Sequence, residues 1–266
     1  MVSLAAARAN KLALDWQHTT PPRPRVIGTR VFKNYDLAEL ANYIDWGPFF
    51  QTWDLAGKFP AILQDEVVGD AARKVYDDGR AMLTKIIRGR WLSAHGVMSL
   101  LPANTVNDDD IEIYTDETRT QVAFTWHQLR QQHVRETITQ ADGRLWCPPN
   151  RCLADYIAPK SSGVADYIGL FAVTAGLGCD ARAQAFEKNH DDYSAIMLKA
   201  LADRLAEAFA ECLHARVRKE LWGYAADEAL SLEALVREDY QGIRPAPGYP
   251  ACPEHTVKKD LFAQLQ

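Results

Sequence analysis

The amino-acid sequence predicts an α+β fold, an antiparallel sheet flanked by helices, and three observations point there. Strand-like runs cluster between residues 96 and 126 and recur near 167–176, without the regular strand–helix alternation of a parallel sheet. One amphipathic stretch, near 191–222, is long enough to be the dominant helix. A hydrophobic content of 47% in 266 residues, with 24% charged, supplies a core of ordinary size.

The elements follow in chain order. MVSLAAARANKLALDW is rich in Ala and Leu, suits a short helix, and is too interrupted by charge for a membrane span. PPRPR at 21–25 ends it and reads as a stiff linker, dividing an N-terminal piece, 1–25, from a main domain, 26–266. Asp36 is placed to cap a short helix over DLAELANYI. An aromatic segment, DWGPFFQTWDLAGKFP (45–60), is punctuated by Gly and Pro. Residues 64–88 read as a helix on the spacing of Val67, Ala71, Val75 and Met82, with Gly79 a weak point. Strands are expected at GVMSLLPA, DIEIY, QVAFTW and YIGLFAVTAG, with ADGRLWCPPN (141–150) as a loop before the last. In the long helix Met197, Leu201, Leu205, Phe209, Cys212 and Leu213 share one face, while Asp203, Glu207 and His214 fall roughly opposite. A last short helix, SLEALVRED, starts at Ser231. RPAPGYPAC (244–252) follows. Its prolines forbid helix and interior strand and favour an extended rod whose backbone polar groups face something else.

Composition narrows the function classes. A formal net charge of −5 argues against generic nucleic-acid binding and suits a cationic ligand or a basic patch on a partner. Five cysteines with no CxxC pair and no secretory leader read as reduced thiols in the cytoplasm. No Walker A, GxSxG, HExxH or complete GxGxxG motif occurs. His190-Asp191-Asp192 reads as helix capping, Asp108-Asp109-Asp110 as a solvated turn, and His127 and His133 lack a third ligand at metal spacing. Neither a metal site nor a self-sufficient catalytic centre is expected.

Two features carry chemistry. For a ligand with an amino-acid zwitterion and an extra cation, Arg244 could fork onto the carboxylate while Asp45 holds the ammonium group. Backbone groups of Ala246 and Gly248 could read a planar base, since Gly permits close approach. The residues alone leave other readings open: a surface salt bridge for Arg244, a turn residue for Asp45, a solvated face for Asp203 and Glu207.

NYIDWGPFFQTWDLAGKFPAIL, SLLPANTVNDDDIEIYTDETR, LADYIAPKSSGVADYIGLFAVTAG, HDDYSAIMLKALADRLAEAFAECLHARVRKELWGYA and YQGIRPAPGYPACPEHT together resemble one family. It is the S-adenosylmethionine-binding activation domain of cobalamin-dependent methionine synthase, whose RxxxGYP motif stands here as Arg244-Pro-Ala-Pro-Gly-Tyr-Pro. The resemblance implies a C-shaped α+β domain whose shallow groove holds S-adenosylmethionine against Arg244, Ala246, Gly248 and Tyr249. Asp45 lies across it and Glu238 close by. It implies that Asp203, Glu207 and Tyr249 face the cobalamin-binding domain, and that Lys58 lies on a docking surface for flavodoxin or a flavodoxin-like reductase.

The implied role is reductive methylation of inactive cob(II)alamin back to methylcobalamin, which supports methionine synthesis from homocysteine and 5-methyltetrahydrofolate. Cobalamin is carried by a partner domain or subunit, and zinc is implied only for the homocysteine domain of a full-length enzyme. No cobalamin-ligand DxHxxG motif occurs, Cys179 stands where the family can carry an acidic residue, and RLWCPPN departs from the family's linker. The family also leads one to expect a further tyrosine-bearing loop beyond LFAQLQ, so the C-terminal end reads as missing. A free-standing S-adenosylmethionine sensor or docking module is the alternative function.

Overall fold

The computed structural model describes residues 1–266. Helix α1 (Leu4–Ala9) starts where the Ser3 hydroxyl accepts the Ala6 N–H. Strand β1 (Gly28–Phe32) precedes α2 (Leu37–Leu40), which Asp36 caps through the Ala38 N–H, as the sequence predicts. Helix α3 (Gly47–Gln51) carries Pro48 in its first turn, where a missing N–H costs nothing. Helix α4 (Gly69–Gly89) begins later than expected. Asp65 accepts the N–H groups of Val67 and Val68, making a turn that leaves Val67 90% exposed rather than on the apolar face. Gly79 is no weak point in packing terms: the Phe49 ring lies so close that a β-carbon would sit 2.7 Å from it.

The sheet is antiparallel throughout and built on β2 (Ser93–Val106). On one side β2 pairs along most of its length with β7 (Asp166–Leu177). On the other it pairs first with β1 and then with β3 (Asp110–Tyr114), which pairs with β4 (Val122–His127). The expected loop at 141–150 instead begins inside a small hairpin, β5 (Ile138–Thr139) with β6 (Leu145–Trp146). Helix α5 (Cys179–Lys188), which the sequence reading missed, leads into the long α6 (Asp192–Arg216). Asp191 caps α6 through the Ser194 N–H. At its end α6 widens into a π turn over Val217–Leu221, which agrees with the expected reach to residue 222. Two short helices close the chain: α7 (Leu232–Val236), capped by Ser231, and α8 (Val257–Gln264).

Two apolar clusters hold these elements. The larger one takes the expected face of α6, with Met197, Leu201, Leu205, Phe209 and Leu213 buried together with Leu40, Ile44, Phe49 and Ile86. The second lies under β3 and β4, where Ile111, Ile113 and Trp126 meet Cys152, Cys252 and Val257. No helix is long and apolar enough to cross a membrane.

Two sequence expectations are corrected by burial. Asp109 is not part of a solvated turn: it is 5% exposed and accepts hydrogen bonds from Arg130 Nε at 2.6 Å and Arg8 Nε at 2.7 Å. Through Arg8, and through the Asn10 amide on Asn150 and Pro148, the N-terminal segment is hydrogen-bonded to the main body. Farther along it, Pro22 accepts the Trp222 indole N–H. His214 is not on a polar outer face either. It is buried, because α6 is covered there by the segment that carries Tyr240, whose ring meets the imidazole edge-on at 4.8 Å.

Candidate functional site

A groove of about 370 Å³ runs between α6 and the segment 232–249. One wall is built before and in the first turn of α3 by Tyr43, Asp45 and Pro48, and the floor by Arg204, Glu207 and Glu211 on α6. Spacings of three and four residues put those three on one helix stripe. Leu232, Leu235, Val236 and Glu238 follow from α7 and its end, and Arg244 and Tyr249 close the far side.

Of the residues singled out in sequence, the groove therefore gathers Asp45, Glu207, Glu238, Arg244 and Tyr249. Asp45 uses Oδ1 to accept the Gly47 N–H at 2.8 Å, which starts α3 and orients the carboxylate on the wall. Glu238 sits in a left-handed backbone conformation, φ +59°, just past α7. Tyr249 is 62% exposed at the rim.

Arg244 is less free than expected. Its Nη2 donates to Glu211 Oε2 at 2.9 Å, its Nη1 lies 3.6 Å from Glu207 Oε1, and its Nε is buried without a partner. Burial works against its charge, yet Glu211, with Tyr240 and Glu207, more than restores it and raises the pKa. Burial in turn raises the Glu211 carboxyl above the usual carboxylate range, against the opposing pull of Arg244 and Arg218.

The proline segment is not a uniform rod. The Tyr249 N–H donates to Ala246 O, the Gly248 N–H to Cys252 O, and the Cys252 N–H to Tyr249 O, so the chain reverses at Gly248. Gly248 is required there, at φ +105° with the His255 ring 2.7 Å from where a β-carbon would stand. The turn leaves the Ala246 N–H and the Gly248 carbonyl without a backbone partner. The Ala246 carbonyl and the Gly248 N–H are spent on the turn, and neither residue lines the groove.

Asp203 and Glu207, grouped in sequence, separate here. Glu207 faces the groove, whereas Asp203 is exposed outside its lining. Lys58 is exposed in the loop before Ala61–Gln64, also outside it. Arg204 and Glu211 were missed: the helical spacing puts them on the stripe of Glu207 but says nothing of the segment that covers it.

Behind the groove, Arg218 is fully buried. Its Nε and Nη2 donate to Glu228, and its Nη1 donates to His214 Nδ1 at 2.8 Å. Burial, with the charges of Arg218 and Arg244, holds the His214 pKa down to about 3. Below pH 6.5 the unfolded chain takes up a proton there that the folded chain refuses, so stability falls as pH drops from 6.5 to about 3. The slope is roughly 1 kcal/mol per pH unit. His214→Gln, whose amide oxygen can accept from Arg218, is expected to lose this component. Chemical-denaturation midpoints measured from pH 7 to 4 should diverge steadily between the two proteins, and parallel curves would refute the assignment.

The lining holds four carboxylates, Asp45, Glu207, Glu211 and Glu238, against two guanidinium groups, Arg204 and Arg244. That excess favours a ligand with net positive charge, and Arg244 offers it one anion-binding point. The groove's carboxylates and guanidinium groups can bind and orient such a ligand.

Comparison with known proteins agrees with this picture. A family model described as vitamin B12 dependent methionine synthase, activation domain, matches residues 36–266. Among solved structures, the crystal structure of the MetH reactivation domain bound to AdoHcy is similar to this chain at 56% sequence identity and a TM-score of 0.90. The match covers 99% of this chain and 78% of that one.

Proposed function

Since the chain belongs to the activation-domain family of vitamin B12-dependent methionine synthase, we propose that its groove binds S-adenosylmethionine and presents the methyl group to a cobalamin-bearing partner domain. The observation that carries this reading is the charge layout of the groove. Asp45 on the wall and Glu207 on the floor suit the ammonium and sulfonium charges, and the Nη1 of Arg244, which has no hydrogen bond within the protein, suits the carboxylate. The neighbouring structure holds AdoHcy, the same molecule without the transferable methyl.

Bound S-adenosylmethionine would supply an electrophilic methyl, leaving as S-adenosylhomocysteine when its S–CH3 bond breaks. A partner-domain cobalamin brought from Co(II) to Co(I) by one electron from a reductant would supply the electron pair for the new bond. This chain's own residues do the positioning, which is a large part of rate enhancement in bimolecular transfers. The exposed ring of Tyr249 at the rim is where a docked corrin would be met. Asp203, exposed one turn from Glu207 on α6, belongs to the docking face for the cobalamin domain. Lys58 belongs to the surface for flavodoxin or a related reductase.

Isothermal titration of the chain with S-adenosylmethionine tests the binding reading: one-to-one binding is expected, and a silent titration of folded protein overturns it. Asp203→Lys is expected to leave that affinity unchanged while weakening association with an isolated cobalamin-binding domain at least several-fold, read by co-sedimentation. Unaltered association removes Asp203 from the docking face.

A further inference from the structure

Glu211 has no part in the ligand contacts proposed above, yet it is held from two directions. One oxygen, Oε2, takes the Arg244 Nη2 hydrogen bond. The other, Oε1, is buried with no hydrogen bond and lies 3.8 Å from Arg218 Nη1. Arg218 cannot move to meet it. Its remaining donors are committed to Glu228 and His214, and its guanidinium lies over the Tyr240 ring at 4.2 Å from the centroid. Glu211 therefore sits between one cation locked in the interior and another at the groove.

Arg244 needs such an anchor. It stands in a segment with neither helix nor strand around it, and a free arginine side chain spreads over many rotamers. With Nη2 held by Glu211, the guanidinium plane is fixed and Nη1 is left on the side of Glu207, which is 60% exposed and lines the groove. A donor ordered before the ligand arrives loses less conformational entropy on binding.

We propose that Glu211 is a positioning residue that pre-orients Arg244 and so supplies much of the site's preference for S-adenosyl compounds that carry an amino-acid carboxylate. The proposal rests on the reading that Arg244 receives that carboxylate.

The test compares two ligands that differ in one group, S-adenosylmethionine and its decarboxylated form, by titration calorimetry against the wild type and three variants. In Glu211→Ala the affinity for S-adenosylmethionine is expected to fall about tenfold, the scale of one charge-assisted hydrogen bond. The decarboxylated ligand should change by less than about twofold, and Glu211→Gln, which restores an acceptor without the charge, should recover part of the loss. A merely structural role would weaken both ligands alike and overturns the proposal, as does full retention of both affinities in folded protein. If Glu211→Ala does not fold, the near-isosteric Gln variant carries the same comparison. Arg244→Ala separates the two levels of the argument. If it weakens both ligands alike, the carboxylate reading of Arg244 falls; if it weakens S-adenosylmethionine selectively while the Glu211 variants do not, only the positioning role falls.

Discussion

Arg244→Ala is expected to weaken S-adenosylmethionine binding by about 2–3 kcal/mol, roughly 30- to 150-fold in Kd. The size follows from the number and kind of bonds at stake. A guanidinium–carboxylate contact is charge-assisted, and the proposed one would form beside a buried Nε that has no partner of its own. Opposing terms are smaller: Glu211 already occupies Nη2, so the ligand gains only the remaining donors. Truncation also leaves Glu211 buried between its helix and an empty space, so thermal stability should fall as well. Binding must therefore be measured well below the melting temperature of the variant. Unchanged affinity in folded protein would falsify the carboxylate role.

Arg130→Met is expected to cost about 3–5 kcal/mol of folding stability, a large part of what a domain has to lose. Arg130 is fully buried, and every donor of its guanidinium is used. Nε binds Asp109, Nη1 binds Asn150 O and Asp155 Oδ2, and Nη2 binds Asp155 Oδ1 and Asp108 O. The net worth of such a cluster against an apolar replacement is small, because desolvation offsets much of the Coulomb attraction. Removing one member is different, since Asp155 is then left in the interior without a cation and Asp109 keeps Arg8 alone. Chemical-denaturation midpoints should show the loss, and the triple variant with Asp109→Asn and Asp155→Asn should recover a substantial part of it. A single-variant loss under about 1 kcal/mol would contradict this account. S-adenosylmethionine affinity should hardly move, because none of these residues lines the groove.

What could be read from sequence was what is local or periodic. The α6 face from Met197 to Leu213, the caps at Asp36, Asp191 and Ser231, and the strands around DIEIY and YIGLFAVTAG are set by neighbours within a turn or by alternation. Helix α5 escaped because Cys179, Ala183 and Phe186 make only a thin apolar stripe, and β1 because its middle residues are exposed and it is held by pairing with β2. The burial of Asp109 and His214 escaped for another reason: their partners, Arg130 and Tyr240, lie 21 and 26 positions away, beyond any local pattern. In the groove, Asp45 and Arg244 were legible as complementary charges. Arg204 and Glu211 were not, because a charged stripe on a helix ordinarily faces water and nothing in its spacing reveals the segment folded over it.

The two apolar clusters give the groove one more property. Its near wall grows out of the first cluster, through Ile44, Trp46, Leu205 and Phe209 beside the lining residues. Its far side, at Tyr249, runs directly into Cys252 and Val257 of the second. A ligand gripped by Asp45 and Arg244 together, as proposed, would add a reversible tie between two clusters already joined by β2, β7 and the Arg244–Glu211 hydrogen bond. Separation of the clusters forfeits the ligand's binding energy, so melting temperature should climb with the logarithm of ligand concentration above Kd. The melting temperature of the domain would then become a readout of how much S-adenosylmethionine surrounds it.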